Sequence, residues 1–282
     1  MPTVLLVTFN LMPDGEPGGS VLVPALAARG IDAGWVCWDD PDVDWAAADL
    51  VAVRSTWDYH RRLPAFLAWA RAVAEATTLL NGAEVFAWNA DKSYLVPLGE
   101  DVACVPTALL DDATLVRGLE DAIREWGEVV VKPRTGAGGV GVVIAESLED
   151  ERLVGLTEAP WIVQPLVESV RTTGETSVYV LGGRAVSQVD KSTGGDEIRV
   201  HEYHGGSSRA VALGAEQAAL AEAAVRAAVT RLDVDLPYAR VDMMVWEDRW
   251  AVSELELIEP GLYLDVDPGN ADHFADLVLS LI

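Results

Sequence analysis

Positive charge is scarce in this sequence of 282 residues. Its 20 Lys and Arg residues stand against 45 Asp and Glu residues, which gives a formal net charge of −25. Binding to nucleic acids or to an anionic membrane surface depends on clustered Lys and Arg. The composition therefore argues against both kinds of partner, and any phosphate group must be bound by a few placed cations and metal ions.

Cysteine is also scarce. The two thiols, Cys37 and Cys104, have no metal-like spacing, so we expect two buried thiols in a reducing compartment. The amino terminus, "MPTVLLVTFN", lacks the basic region of a signal sequence, and no apolar run is long enough for a membrane span. These absences predict a cytoplasmic protein without a membrane partner.

Apolar residues make up 50% of the chain, enough for a globular protein with two domains or one lobed domain. Near the amino terminus the strand-like "TVLLVTF" and "DLVAVRSTWDY" alternate with helical patterns over residues 20–29 and in "LPAFLAWARAVAEA". This alternation indicates an α/β fold with a parallel sheet, whose ligand-binding loops follow the carboxyl ends of the strands. We expect Arg54, Thr56 and Asp58 at that edge, in contact with substrate.

From about residue 89 the pattern changes from alternation to paired strands. Helices are predicted in "NADKSYLVPL", in "DATLVRGLEDAIREWG" and over residues 215–232. Hairpins are predicted from "EVVVKPR" with "VGVVIAE", "ETSVYVL" with "RAVSQVD", and "YARVDMMVW" with "RWAVSELELI".

The first hairpin contains a glycine-rich turn, "TGAGGVG", directly after Lys132. Gly136, Gly138 and Gly141 match the dinucleotide-binding pattern G-x-G-x-x-G, but "VGVVIAE" is strand-like where that pattern needs a helix. A flexible turn can instead point backbone N–H groups at phosphates, with Lys132 as a point charge. An ordinary glycine-rich hairpin is the alternative.

Three acids indicate a metal site on the last hairpin. Glu254 and Glu256 lie two residues apart on one strand, so they share a face at about 6.6 Å between Cα atoms, and Asp242 on the partner strand can face them. Two such charges at about 4 Å repel by about 4 kcal/mol at an effective dielectric constant of 20, so the group needs protons or a cation such as Mg²⁺. A solvent-facing acidic strip is the alternative.

The order of these motifs resembles the ATP-grasp superfamily, in the branch of prokaryotic glutathione synthetases and D-cycloserine synthetase-like ligases. The resemblance covers residues from about 85 to 265 and rests on "WNADKSYL", "VVVKPRTGAGGVG", "VQPLVESVRTTGETSVYV", "EIRVHEYHGG", "YARVDMM" and "SELELIEP". It implies a pre-ATP-grasp parallel-sheet domain over residues 1–88, followed by a two-lobed ATP-grasp fold. The small lobe with the glycine-rich loop is expected over residues 89–163, and the carboxyl-terminal lobe with the metal site over residues 164–282.

The resemblance also implies roles for individual residues. ATP would contact Lys92, Lys132, Gly136, Gly138, Gly139, Gly141, the hinge Gln164, Pro165, Leu166 and Val167, and, through its ribose, Glu175. Asp242, Glu254 and Glu256 would hold Mg²⁺, with two ions expected, and Lys191, Arg199 and Arg240 would hold the substrate carboxylate and an acyl phosphate. In glutathione synthetases Asn occupies the position of Glu256, so the metal site here should be more anionic.

The reaction that the resemblance implies is ATP-dependent ligation of a carboxylate to an amine in peptide or antibiotic biosynthesis. The enzyme would join two amino-acid-like molecules, as in a dipeptide or γ-glutamyl amide, or close one molecule into a ring. A small-molecule kinase and a nucleotide-binding regulatory module are the alternatives. Glu259, just before Pro260, is predicted to hold the substrate amine, and a homodimer or homotetramer is expected.

Overall fold

A computed structural model describes residues 1–156, 159–195, 197–200 and 204–282. These residues form three β-sheets and seven α-helices. Residues 201–203 of the quoted "HEYH" lie outside the described residues. No helix in the described ranges is both long enough and apolar enough to cross a bilayer.

The first sheet is parallel, as predicted, with the strand order β2-β1-β3-β4. Its strands are β1 (Thr3–Thr8), β2 (Asp32–Cys37), β3 (Leu50–Ser55) and β4 (Thr78–Leu79), and its helices are α1 (Leu22–Ala27), α2 (Leu63–Ala76) and α3 (Ala83–Asn89). The helix predicted over residues 20–29 is shorter, because a 3-10 turn precedes α1 and Gly30, at φ +75°, follows it. A positive φ is unfavourable for most residues and commonly ends a helix at glycine.

The second sheet is antiparallel, with the order β5-β8-β6-β7. It contains β5 (Ala108–Leu110), β6 (Val129–Pro133), β7 (Val143–Ala145) and β8 (Trp161–Pro165), preceded by the short α4 (Leu95–Leu98) and covered by α5 (Leu115–Trp126). The predicted hairpin of β6 with β7 is confirmed, and residues 134–142 between the two strands form the glycine loop.

The third sheet is antiparallel, with the order β11-β10-β9-β12-β13. Its strands are β9 (Glu175–Leu181), β10 (Arg184–Ser192), β11 (Ser207–Val211), β12 (Tyr238–Trp246) and β13 (Arg249–Glu256). Both predicted hairpins are confirmed. Glu247 and Asp248 join β12 to β13 with φ of 48° and 62°, as a tight two-residue hairpin turn requires.

The predicted helix over residues 215–232 is confirmed as α6 (Ala215–Leu232). It packs on the third sheet through Ala221, Ala224, Val225 and Ala228, which are spaced by three and four residues. Their small side chains let the helix approach the strands closely.

The carboxyl-terminal chain returns to the first sheet. The helix α7 (Asn270–Leu281) packs beside α1, and its Phe274 and Val278 share one core with Val4 and Leu6 of β1. Residues 257–265 therefore run between the third sheet and the first, and they cover the edge where the β3 loop begins.

The two cysteines are free and only partly buried, so the expectation of two buried thiols was wrong. Desolvation nevertheless raises the pKa of Cys104 to about 12. At neutral pH that thiol stays protonated and is a weak nucleophile.

Candidate active site

A cavity of about 720 Å³ lies where the three sheets meet. Nearly all the predicted site residues line it, although they come from segments up to 167 residues apart. Those at its wall are Lys92, Lys132, Gly136, Gly138, Gly139, Gln164, Pro165, Leu166, Val167, Glu175, Lys191, Arg199, Arg240, Asp242, Glu254, Glu256 and Glu259. Gly141 lies instead on an adjoining cavity of about 380 Å³ that shares Gly136 with the first.

Strand alternation carries the acids to the cavity. Glu254 and Glu256 face it, while Leu255 and Leu257 are buried in the core. Asp242 is opposite Glu254 in the register of β12 with β13. The predicted shared face is thus present.

Each of these acids is paired with a cation from the chain. Arg240 donates two hydrogen bonds to Asp242, at 2.8 and 2.9 Å, and a third to Glu256. The Lys92 Nζ lies 3.0 Å from Glu254. Within the described ranges, no three acidic, His or Cys side chains converge in a metal-ligand arrangement. The three acids therefore share a face without meeting at one point.

The pKa values show where negative charge exceeds its compensation. Burial outweighs the attraction of Arg240 and raises the pKa of Glu256 to about 7, and the charges of Asp242 and Glu254 act in the same direction as burial. Burial also opposes ionisation of Asp242, but Arg240 and Lys191 outweigh it and hold that pKa below its usual range. Carboxylate oxygens are the donors that a hard divalent cation such as Mg²⁺ prefers, so the three acids fit such an ion by their chemistry, while Lys92 and Arg240 pair with them in this structure.

The glycine loop is joined to the acidic side chains through Lys92. Gly138, Gly139 and Gly141 have φ between 63° and 75°, a conformation that other residues rarely adopt. Lys92 donates to the Gly136 carbonyl at 2.9 Å, so one lysine joins the loop to Glu254. Burial lowers the pKa of the neighbouring Lys132, whose ammonium group has no ion-pair partner among the described residues.

Arg199 packs against the tip of the loop. A Cβ atom on Gly139 would lie 3.0 Å from the Arg199 Cδ, and the guanidinium forms a two-pronged contact with Glu197 at 3.0 and 2.6 Å. The pairing lowers the pKa of Glu197 to about 2. Arg199 therefore lies at the cavity with its charge already matched.

The hinge strand β8 leaves only some of its backbone groups for a ligand. The Leu166 N–H donates to the Glu128 carbonyl at 2.9 Å, and the Val167 carbonyl accepts from Val170. The Leu166 N–H is therefore taken, while the Val167 carbonyl, with a second lone pair, can still accept from a bound base. Glu175, beyond the hinge, is paired with Lys191 at 2.6 Å.

The predicted substrate residues of the first sheet are placed differently from the expectation. Arg54, Thr56 and Asp58 are buried and do not line the cavity. Arg54 bonds to Glu16 and to the Pro260 carbonyl, because residues 257–265 cover the edge of the sheet. A direct contact of these three side chains with substrate does not match this placement.

The side chains that the β3 loop does present are Trp57, Tyr59 and His60. Trp57 and Tyr59 alternate with the buried Thr56 and Asp58, and His60 follows them. A substrate role for Arg54, Thr56 and Asp58 stays a prediction. Glu16 and Tyr263 also line the cavity and were missed. Both lie in loops whose placement depends on distant contacts, and no local pattern marks them.

Glu259 stands out among the acids of the cavity. Within the described part of the chain, no group donates a hydrogen bond to its carboxylate and no cation lies within ion-pair distance. Burial, and then the charge of Glu256, raise its pKa well above the usual value. The site therefore holds one acidic group that still needs a proton or a cationic partner.

Comparison with known proteins identifies relatives of this chain. Residues 4–81 match the family model of the D-cycloserine synthetase DcsG amino-terminal domain. The chain is 33% identical over 274 residues to the cycloserine biosynthesis protein DcsG of Streptomyces lavendulae, covering 90% of each. It superposes on the crystal structure of D-cycloserine synthetase DcsG with a TM-score of 0.86 and 29% identity, over 99% of this chain and 100% of that one.

A more distant solved structure shows the same fold. The ATP-grasp ligase PsnB, complexed with a phosphomimetic variant of its minimal precursor, Mg and ADP, gives a TM-score of 0.64 at 18% identity. The alignment covers 99% of this chain and 98% of PsnB. The predicted combination of a parallel-sheet domain with a two-lobed ATP-grasp fold is confirmed.

Proposed function

This chain belongs to the ATP-grasp ligases, in the family of DcsG, and we propose that it joins a carboxylate and an amine of small amino-acid-like substrates. The observation that carries the proposal is the polarity of the cavity. Lys92, Lys132 and the glycine loop line it together with Glu259, which has no ion-pair partner among the described residues. Anionic phosphates and a cationic amine can thus be bound in one enclosed site.

ATP is the cosubstrate that the first part fits. Backbone N–H groups of the glycine loop and the two lysines would bind its phosphates, and the hinge from Gln164 to Val167 its base. Asp242, Glu254 and Glu256 would hold Mg²⁺, two ions being the expectation, and the metal would neutralise the charge that develops during phosphoryl transfer. The Mg and ADP bound by PsnB support this assignment.

The proposed chemistry has two steps. An oxygen of the substrate carboxylate attacks the γ-phosphorus, the bond from that phosphorus to the bridging oxygen breaks, and ADP leaves with the electron pair. The amine nitrogen then attacks the acyl carbon, the acyl carbon–oxygen bond breaks, phosphate leaves, and the nitrogen loses a proton. The products are an amide, ADP and phosphate.

Residues of the third sheet would guide these steps. Arg240 of β12 and Lys191 of β10, on strands separated by β9, both pair with Asp242, and a guanidinium suits two-pronged contact with carboxylate or phosphate oxygens. Glu259 would accept the ammonium hydrogens of the incoming amine, which supplies the partner that its carboxylate lacks. Arg54 and Asp58 would act indirectly, by positioning the loops that reach the cavity.

Ring closure within one molecule is the version that we favour. The chain matches DcsG over 90% of both sequences, and the name of DcsG places that relative in cycloserine biosynthesis. Joining two molecules requires the same residues, and the difference lies in whether the carboxylate and the amine belong to one substrate.

The test is incubation of the purified protein with ATP, Mg²⁺ and a panel of amino acids and their aminooxy and ureido analogues. ADP release and product masses are followed together. A product lighter than one substrate by one water supports cyclisation, and a product equal to two substrates less one water supports joining. A stable phosphorylated product would show a kinase instead, and absence of magnesium-dependent ADP release with every substrate would contradict the proposal.

Variants test the assignment of the site. We expect Lys132→Ala and Glu254→Gln to lower turnover by about 10²- to 10³-fold, the loss typical of removing one electrostatic contact to the transition state. Arg117→Ala on α5, whose side chain is 91% exposed, is the control. Undiminished turnover in both variants would show that the nucleotide binds elsewhere. The assembly, a homodimer or homotetramer, stays a prediction for sedimentation equilibrium.

A further inference from the structure

Tyr263 places an aromatic ring beside the two cations at the cavity. Its ring centroid is 5.7 Å from the Lys191 Nζ and 5.6 Å from the central carbon of the Arg240 guanidinium. Both distances are within the range at which a cation is attracted to the face of an aromatic ring. Tyr263 also lines the cavity, whereas Lys191 and Arg240 are only 3% and 7% exposed. The ring therefore contributes to keeping both cations out of water.

The backbone of Tyr263 is held in an unfavourable conformation. Its φ is +50°, which is uncommon for any residue but glycine, asparagine or aspartate and is unfavourable for an aromatic residue. The Tyr263 carbonyl accepts hydrogen bonds from Val266 and Asp267, at 3.0 and 2.7 Å, which fix the turn after it. Such a conformation persists only where surrounding contacts enforce it.

The contacts before Tyr263 are equally restrictive. We call Pro260–Leu262 the clamped segment, because buried side chains bind its backbone groups in succession. The Pro260 carbonyl accepts from Arg54 and Tyr238, the Gly261 carbonyl from Tyr179, and the Leu262 carbonyl from Asn270, while the Leu262 N–H donates to Glu16. The tyrosine ring is thus presented to Lys191 and Arg240 by a backbone with little freedom to move.

A dry surface beside these cations matters for the proposed reaction, on which this inference depends. An acyl phosphate has two fates, because either an amine nitrogen or a water oxygen can attack its acyl carbon. Water attack breaks the same carbon–oxygen bond, releases phosphate and a proton, and returns the carboxylate, so that one ATP is consumed without product. Excluding water from such an intermediate is a recognised task of enclosed active sites.

We propose that the Tyr263 ring shields the acyl phosphate held by Lys191 and Arg240 and so prevents its hydrolysis. The ring, and not the phenol oxygen, performs this role, since apolar area excludes water and the ring face contacts the cations. Tyr263 touches the bound intermediate and acts in coupling ATP use to amide formation.

The test measures ADP released per amide formed, with the substrate identified by the mass experiment above. Wild-type protein should release about one ADP per amide. Tyr263→Gly removes the ring at a backbone conformation that glycine adopts freely, and Tyr263→Phe is the matched control that keeps the ring. We expect Phe to preserve the ratio and Gly to raise it roughly threefold to tenfold, as the loss of a desolvated cation–ring contact would.

Each result decides one question. An unchanged ratio in a folded Tyr263→Gly protein overturns the proposal, and an equal rise in Tyr263→Phe assigns the effect to the hydroxyl and overturns the role of the ring. If the Gly variant does not fold, Tyr263→Asn is measured, because asparagine also tolerates positive φ. If the wild-type protein forms no amide with any substrate, the proposed function itself is contradicted. If wild type and variant both release about one ADP per amide, only the role of Tyr263 is contradicted.

Discussion

Two segments of the cavity wall differ in how firmly the rest of the protein holds them. In the glycine loop, a Cβ added to Gly138 would meet no atom within 4 Å, and Val140 is 69% exposed. In the clamped segment, three successive carbonyls accept hydrogen bonds from buried side chains. One wall is built to change shape, and the other is built to stay fixed.

The difference suits the two tasks of the site. A nucleotide must enter and ADP must leave in each cycle, and loops with few buried contacts are the ones that open locally at low cost. The reacting carbon and nitrogen need fixed positions, because small displacements of reacting groups cost large factors in rate. We infer that the glycine loop closes over ATP, while the clamped segment holds Glu259 and Tyr263 in place.

The largest expected effect comes from breaking one arginine–carboxylate pair on each wall. Arg54→Ala removes a fully buried guanidinium and leaves Glu16 buried without its partner, which should cost about 3–5 kcal/mol of unfolding free energy. Arg134→Ala breaks the pair with Asp91 beside the glycine loop, where the side chains are 26% and 36% exposed, and should cost at most about 1 kcal/mol. Urea unfolding measures both.

Equal losses in the two arginine variants would show that the clamped segment is no more rigid than the loop. The double variant Glu16→Gln with Arg54→Met provides a further control. By removing both charges together it should recover part of the loss, since an uncompensated buried charge is costlier than no pair.

Two glycines give a smaller and independent comparison. A Cβ on Gly18 would lie 2.4 Å from the backbone nitrogen of Asp265, three residues after the clamped segment, whereas a Cβ on Gly138 has open space around it. Both have positive φ, 74° and 63°, so each alanine pays the same conformational cost of about 1 kcal/mol. Gly18→Ala should lower the unfolding free energy by about 2–3 kcal/mol in total. Gly138→Ala should lower it only by the conformational cost.

Thermal unfolding followed by circular dichroism separates the two glycine variants. The activity of Gly138→Ala should change through the Michaelis constant for ATP, because only the loop is affected. Similar melting temperatures for the two variants would contradict the close backbone approach at Gly18.

Glu259→Gln tests the substrate side of the fixed wall. The amide keeps the size of the carboxylate but cannot compensate an ammonium charge, so the Michaelis constant for the amine-bearing substrate should rise about tenfold while that for ATP stays nearly constant. Steady-state kinetics with each substrate varied in turn provide the measurement. Glu168→Gln, at a side chain that is 67% exposed, is the control, and an equal rise in both constants would place Glu259 with the metal-binding acids.

Local pattern was sufficient to predict much of this molecule. Alternation along β13 identified which of its residues face the cavity, and the bounds of α2 and α6 followed from helical apolar spacing and from alanine content. These features depend on neighbours within a few residues of the chain. For the same reason the hairpins of the second and third sheets were predicted from their turns.

The errors concern contacts between distant segments. Arg54 looked like a ligand-binding residue because it ends a parallel strand, but the carboxyl-terminal chain, 206 residues later, covers it. Glu16 and Tyr263 were missed because their roles arise from that same covering segment. Physical spacing rules describe one strand or helix, whereas the packing of residues 257–265 on the first sheet depends on the whole fold.

The smallest expected effect is a difference in pH dependence between the two walls. Glu256, beside the fixed wall, has its pKa raised by burial to about 7, so its folded form binds a proton more tightly than the unfolded chain does. Its contribution to stability is full below the usual glutamate pKa and is lost as the pH rises through 7. Near the glycine loop the sign is opposite. At Asp91 the hydrogen bonds from Arg134 and Ser93 outweigh burial and lower the pKa. Asp91 therefore stabilises the fold at pH values above the usual aspartate pKa, and this stabilisation is lost only in acid.

Without metal, the unfolding free energy should therefore fall by about 1 kcal/mol from roughly pH 5 to pH 8. Glu256→Gln should reduce this decline and leave the part that comes from Glu259, whose pKa burial also raises. Saturating Mg²⁺ should reduce it as well, because the ion binds the deprotonated carboxylates. Urea titrations at each pH provide the measurement, and a decline of the same size in Glu256→Gln would show that the acids of β13 do not carry it.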